Sequence, residues 1–170
     1  HFMPFHQMPV LVVDGKSITQ TGVIARFCGK LSGLYTTDDH LKATQIDQFM
    51  DFATDLSTMV FSTNQFKDEN QKLAARLELA NSPLKRKLGM LELSIPEGSD
   101  WIVPPSISIA DISIWRVLGW LTSGLLDGMP KDLLTDFPKI KRVCLAVDQH
   151  PKVQNLMGRT YPENYVRGTY

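Results

Sequence analysis

The residue pair Gln20-Thr21 stands where proteins commonly bind a small anion. It opens a helical pattern in which Val23, Ile24 and Phe27 share one face. Free N–H groups at a helix N-terminus point outward, and the helix dipole there favours negative charge. The Gln20 amide and the Thr21 hydroxyl could add donors to such a site. The pattern therefore predicts a cradle for a carboxylate or phosphate group.

The segment before this helix predicts two short strands that position the cradle. Residues 9–13 and 16–19 are the strands, and Asp14-Gly15 between them is a strong hairpin signal because both turn positions need positive φ. The first run is almost continuously apolar, as in a strand covered on both faces. A lone hairpin of this kind leaves pairing edges open. We therefore expect a strand–helix–strand to precede the hairpin, outside the present sequence.

The remainder of the chain predicts about five helices with short connections, which is typical of an all-α bundle. Ser108 followed by Asp111 has the spacing of a capping box, so both are predicted to be structural cap residues. Gly33 is predicted to end the first helix, and Pro83 to kink or restart the third. Further helix starts are predicted at the following positions: Thr36-Thr37-Asp38-Asp39, near Asp68, at Pro138 and at Pro151.

Composition excludes several function classes. The chain has 170 residues, is 21% charged and has a formal net charge of zero. Its one basic cluster, residues 85–87, is interpreted as a solvated helix face, so no nucleic-acid partner is expected. No apolar run reaches membrane-spanning length, so no membrane partner is expected. Cys28 and Cys144 lie among apolar residues at helical spacing and are predicted to be buried, reduced thiols.

The histidines indicate no metal site. His1, His6, His40 and His150 lack metal-ligand spacing and are interpreted as surface residues. No Gly-rich phosphate loop, Ser-His-Asp signature or pair of catalytic glutamates is present either.

Four segments, in order along nearly the whole chain, resemble those of cytosolic glutathione transferases, most closely the sigma-class branch of prostaglandin D synthases and S-crystallins. These segments are Gln7-Met8-Pro9-Val10-Leu11, Gln20-Thr21, Ser108-Ile109-Ala110-Asp111, and the helix-starting pairs Phe137-Pro138 and His150-Pro151. The resemblance implies that residues 1–34 are the C-terminal part of a thioredoxin-like glutathione-binding domain, an α/β fragment of hairpin plus helix. Residues 35–170 would then form the all-α C-terminal domain.

The resemblance also implies a glutathione site, with glutathione as co-substrate and no metal. Met8 would offer its main-chain N–H and C=O to the cysteinyl part, beside a cis Pro9. Gln20 and Thr21 would hold the γ-glutamyl carboxylate, with threonine replacing the family's usual serine. Gln7 would lie near the glycyl end.

Three carboxylates share one face of the second helix because they are four residues apart: Asp47, Asp51 and Asp55. For the first two, a solvated acidic stripe and a functional role both remain open. Asp55 matches the family acid that reaches across a dimer toward the glutathione α-amino group of the partner subunit. The resemblance therefore implies a homodimer.

The same helix is expected to line a pocket for a small hydrophobic electrophile. The candidate residues are Ser57, Thr58, Phe61 and Ser62. For an aromatic residue such as Phe61, however, a plain core position is the more common interpretation.

The family's thiol-activating tyrosine has no counterpart in this sequence. The tyrosines present, which all follow the cradle, are Tyr35, Tyr161, Tyr165 and Tyr170. The catalytic residue is therefore unknown and expected upstream of residue 1. A chain without it should be inactive, because the thiolate is the reactive form of the thiol.

The resemblance implies a cytoplasmic, detoxifying transferase that joins the glutathione thiolate to soft electrophiles. Two alternatives stay open. One is a glutathione-dependent lipid isomerase, and the other is a non-catalytic, S-crystallin-like structural or ligand-carrying protein. A helical interaction module is disfavoured by the ordered set of matching segments.

Overall fold

The computed structural model describes residues 3–170, in which a short 3₁₀ turn (Pro4–His6) precedes a two-stranded antiparallel sheet. Strand β1 (Val10–Val13) pairs with β2 (Lys16–Thr19), with the first residue of one strand opposite the last of the other. Asp14 and Gly15 have φ values of 48° and 74°, as a type I′ turn requires. The predicted hairpin is confirmed, although β1 begins at Val10 instead of residue 9.

Within the described residues, seven α-helices follow the hairpin. They are α1 (Thr21–Ser32), α2 (His40–Phe61), α3 (Glu69–Leu79), α4 (Lys85–Ser94), α5 (Ile109–Thr122), α6 (Pro138–Gln149) and α7 (Pro151–Thr160). None of the helices in residues 3–170 has both the length and the apolar character needed to cross a membrane.

The helix ends follow the local signals in the sequence. Gly33 ends α1 in the left-handed conformation, with φ 75°. The Asp39 carboxylate accepts the Lys42 N–H at the start of α2, and Asp68 caps α3 in the same way. Pro83 lies in a π-helical segment, Ala80–Leu84, that joins α3 to α4. Pro83, predicted to kink or restart this helix, thus interrupts the regular α-helical hydrogen-bond pattern without ending the helical backbone, because proline cannot donate to the helical ladder.

Helix α5 forms the centre of the bundle and packs against α2 and α6. Its side chains Ile114, Leu118 and Leu121 are fully buried. The hairpin–helix unit joins the bundle at the start of α5, where the Ile109 N–H donates to the Leu34 carbonyl at 3.0 Å. The fold is thus an antiparallel hairpin plus helix followed by an all-α bundle, as predicted.

Candidate functional site

The two segments predicted to bind the same ligand meet in space. The Gln20 side-chain amide donates to the Gln7 side-chain oxygen at 3.0 Å, across the hairpin that separates them in sequence. The Met8–Pro9 peptide bond is cis, and Met8 is 83% exposed. Within residues 3–170, no hydrogen bond occupies the main-chain N–H or C=O of Met8. Both groups are therefore open to an extended ligand.

The start of α1 presents open donors next to this segment. Gln20 has φ 71° and ψ 116°, and among the described residues no side chain caps the helix. A non-glycine residue with positive φ costs energy and is found preferentially at functional sites. The N–H groups of Thr21 and Gly22 have no partner inside the helix, because the first turn lacks preceding carbonyls. An anion fits this end of α1 both electrostatically and by hydrogen bonding.

The open end of α1 forms one wall of a cleft of about 590 Å³ between α1, α2 and α5. Most of the walls are apolar, and the Phe61 and Trp120 rings lie 5.5 Å apart between their centroids. The lining residues are Thr21, Gly22, Ala25, Met50, Ala53, Thr54, Ser57, Phe61, Ile112, Ser113, Arg116, Val117 and Trp120. An anion held at Thr21 would therefore sit beside a space large enough for a small apolar molecule.

The predicted pocket residues divide between two faces of α2. Ser57 and Phe61 line the cleft, whereas Thr58 and Ser62 do not. The reason is helical geometry: residues four apart share a face, and the next residue along is turned by about 100°. Both Ser57 and Thr58 donate their hydroxyls to carbonyls one turn back in the same helix. Neither hydroxyl is free to serve as a donor to a ligand without breaking that bond.

The acidic face of α2 is tied to α1 by an arginine that sequence reasoning missed. Arg26 Nε donates to Asp47 at 2.6 Å, and its Nη2 donates to Asp51 at 2.9 Å. The Tyr35 hydroxyl donates to the other Asp47 oxygen at 3.0 Å. Asp47 and Asp51 are thus acceptors for an interhelical ion pair. No local signal points to Arg26, because its partners lie 21 and 25 residues away.

We expect Arg26→Met to lower the free energy of unfolding by about 1 kcal/mol, because it removes a part-buried, doubly paired guanidinium while keeping the aliphatic stem. Urea unfolding at low and high salt measures the effect, which should shrink with salt. Lys72→Met is the matched control, since its ion pair with Glu69 lies within one helix. An equal loss in both variants would contradict an interhelical role for Arg26.

Asp55 lies on the same helix but away from the cleft. Its side chain is 61% exposed and pairs with Lys87 Nζ at 3.2 Å. The carboxylate is therefore accessible from outside the chain and already has a cation in this chain as its partner.

The capping box predicted at the start of α5 is confirmed. Ser108 accepts an N–H of the first helical turn, and Asp111 accepts the Ser108 main-chain N–H at 2.7 Å. Asp111 also accepts the Ile102 N–H at 2.7 Å, so it anchors the preceding loop. Burial raises the pKa of the Asp111 carboxyl, while these donors act in the opposite direction. Asp111 is fully buried, which fits a structural and not a catalytic role.

The two cysteines differ in their surroundings. Cys144 is buried as predicted, and burial raises the pKa of its thiol. The prediction that Cys28 is also buried was wrong, because Cys28 lies on the solvent face of α1. Its neighbours Ala25 and Gly29 take the inward positions instead.

The histidines form no metal site within the described part of the chain. His6 and His40 are exposed, as predicted, and His1 lies outside the described residues. His150 is half-buried against Trp101, with ring centroids 6.4 Å apart, so the prediction of a surface position was wrong for this residue.

Comparison with known proteins assigns the chain to a family. Residues 50–158 match the glutathione S-transferase C-terminal domain. Glutathione S-transferase 2 of Manduca sexta is 28% identical over 151 residues, which cover 89% of this chain and 72% of the relative.

Two solved structures share the fold. The prostaglandin synthase D of Nilaparvata lugens superposes with a TM-score of 0.80 at 25% identity, covering 94% of this chain and 77% of that one. Na-GST-3 of the hookworm Necator americanus, described as monomeric, gives a TM-score of 0.74 at 21% identity, covering 96% and 78%. The domain match extends over more than half of the chain, which therefore belongs to the glutathione S-transferase family.

Proposed function

We propose that this chain binds glutathione at the start of α1 and holds an apolar electrophile in the adjoining cleft, as a transferase. One observation carries the proposal: the open N–H groups of α1 lie in the wall of the same cleft that Phe61 and Trp120 line. The γ-glutamyl carboxylate would sit on Gln20 and Thr21. The cysteinyl part would run along Met8 and Pro9, with the thiol directed toward the cleft and Gln7 near the glycyl end.

In the proposed reaction the glutathione thiolate attacks the electrophilic carbon, a C–S bond forms and the leaving group departs with its electron pair. The reaction needs a donor that stabilises the thiolate. Among the described tyrosines, none lines the cleft. Burial, together with the hydrogen bond to Asp47, raises the pKa of Tyr35, which is the wrong direction for that task. We therefore propose an activating tyrosine in a strand–helix–strand that would pair with the free edge of β1.

The branch of the family and the assembly are also proposals. The fold shared with a prostaglandin synthase supports a sigma-class-like protein, and with it the alternative of lipid isomerisation. We propose that the protein is a cytoplasmic homodimer. Each chain would consist of a thioredoxin-like part, residues 1–34, and a helical part, residues 35–170. In it the exposed Asp55 would exchange Lys87 for the α-amino group of the partner's glutathione. A monomer, as described for Na-GST-3, would leave Asp55 paired with Lys87.

Thr21→Val tests the proposed glutathione site by calorimetry. The variant keeps the side-chain shape but removes the hydroxyl, so we expect the Kd for glutathione to rise about tenfold, the value of a hydrogen bond to a charged group. Thr37→Val is the control, because Thr37 is exposed in the loop before α2 and should leave the Kd unchanged. Absence of binding by the unsubstituted chain, or equal effects of the two substitutions, would contradict the proposal.

A ligand-carrying protein without catalysis is the second candidate, favoured because no tyrosine within residues 3–170 lines the cleft. Chromogenic conjugation assays distinguish the two candidates. Glutathione binding with no turnover, in a protein that includes the proposed strand–helix–strand, would favour the carrier.

A further inference from the structure

One charged side chain lines the cleft among the described residues. It belongs to Arg116 on α5, and every other lining residue is neutral. The position follows from helical spacing, since Ile112, Arg116 and Trp120 are four residues apart and share one face of α5. The Arg116 guanidinium is therefore the only charged group beside the aromatic wall of the cleft among the described residues.

Arg116 has no acceptor in residues 3–170. Four other arginines of this chain form hydrogen bonds or ion pairs: Arg26, Arg76, Arg142 and Arg167. No hydrogen bond or ion pair involves Arg116, although it lines both the cleft and a second, smaller cavity under the C-terminal tail. No acceptor of the described residues therefore competes with a ligand for the Arg116 guanidinium.

Arg116 is exposed to solvent at the edge of the cleft, next to the buried Val117 and the half-buried Trp120. Its attraction for a ligand charge is therefore screened by salt, and a ligand reaches it without burying the guanidinium. The guanidinium is planar, always protonated, and matches a carboxylate through two parallel N–H···O bonds. A ligand with a carboxylate or a similar hydrogen-bond acceptor would therefore match the Arg116 guanidinium.

We propose that Arg116 selects electrophiles that carry a carboxylate, or a comparable anionic group, attached to an apolar body. The inference rests on the proposed function, since it assigns the substrate class of that same cleft. The apolar body lies between α2 and α5 against Phe61 and Trp120. The anionic end meets Arg116, and the reacting carbon faces the thiol near Thr21.

A matched pair of ligands tests the proposal by calorimetry. S-(4-carboxybenzyl)glutathione and S-(4-carbamoylbenzyl)glutathione have the same shape, and only the first carries a charge beyond the sulfur. We expect the unsubstituted chain to bind the carboxylate about five- to tenfold more tightly at low salt. Arg116→Gln should abolish this preference, and Arg116→Lys should retain part of it. Arg86→Gln is the control, because Arg86 is an exposed arginine on α4, away from the cleft, and should keep the full preference.

The outcomes separate this inference from the proposed function. Equal binding of both ligands to the unsubstituted chain would overturn the role of Arg116 and leave the glutathione site standing. Loss of binding for both ligands to the same extent in Arg116→Gln would also overturn it, because Arg116 would then hold a carboxylate of glutathione itself. Failure of both ligands to bind the unsubstituted chain would instead overturn the proposed function.

Discussion

Asp111→Asn will lower the free energy of unfolding by about 3 kcal/mol, because one buried acceptor is replaced by a donor that faces other donors. The Asp111 carboxylate accepts from the Ile102 N–H with one oxygen and from the Ser108 N–H and hydroxyl with the other. An amide has a single oxygen. In either orientation its NH₂ group therefore meets a buried N–H, and that N–H loses its partner.

Burial of the Asp111 carboxylate is unfavourable, as the raised pKa of this carboxyl shows. Replacing the charged group with a neutral amide removes this cost and so offsets part of the lost stability. The lost acceptor is the larger effect, since each buried donor without a partner costs about 1–3 kcal/mol. Urea unfolding followed by circular dichroism measures the change. Asp38→Asn, on the exposed loop before α2, is the control and should cost only a few tenths of a kcal/mol. Equal stability of the two variants would contradict the proposed anchoring, through Ile102, of the loop that precedes α5.

Gly119→Ala will detach the C-terminal tail from α5 and cost about 2 kcal/mol, as overpacking typically does. A Cβ at residue 119 would overlap the main-chain carbonyl of Arg167 and the Tyr170 hydroxyl. The tail is held there by the Thr169 N–H, which donates to Thr122 Oγ1 at 3.0 Å, and by the Tyr170 hydroxyl, which donates to the Trp115 carbonyl at 3.3 Å. Both bonds need the close approach that glycine allows.

Unfolding experiments and limited trypsin digestion measure the two consequences. Cleavage after Arg167, read by mass spectrometry, should be faster in Gly119→Ala because the half-buried tail becomes accessible. Gly89→Ala is the matched control: it is another mid-helix glycine, and nothing lies within 4 Å of its added Cβ. It should gain up to about 1 kcal/mol from helix propensity. Stabilisation by both substitutions would show that the tail does not pack on Gly119.

Local signals explain the parts of the fold that the sequence predicted well. The Asp14-Gly15 turn needs positive φ at two adjacent positions, the Ser108–Asp111 box satisfies backbone groups within four residues, and Gly33 ends a helix by itself. Each of these depends on residues a few positions apart. Their types and spacing therefore determine the local structure before any packing is known.

Features that depend on contacts between residues far apart in the sequence could not be predicted from it. The pairing of Arg26 with Asp47 depends on the angle between α1 and α2, and the exposure of Cys28 depends on which face of α1 the bundle covers. Likewise, only the packed helices show that Phe61 lines the cleft while Thr58 does not. Arg116 has no sequence signal either, since only the packed helices show that this exposed arginine lies beside the cleft.

The most direct test of the central claim is a glutathione titration of the ¹⁵N-labelled chain followed by backbone amide NMR. We expect the amides of Met8, Thr21 and Gly22 to shift first and furthest, because their N–H groups form the proposed cradle. Amides around the open groove between Trp101 and His150, on the α6 side of the bundle, should not move. Shifts confined to that groove, or no shifts at saturating glutathione, would contradict a glutathione site at the start of α1.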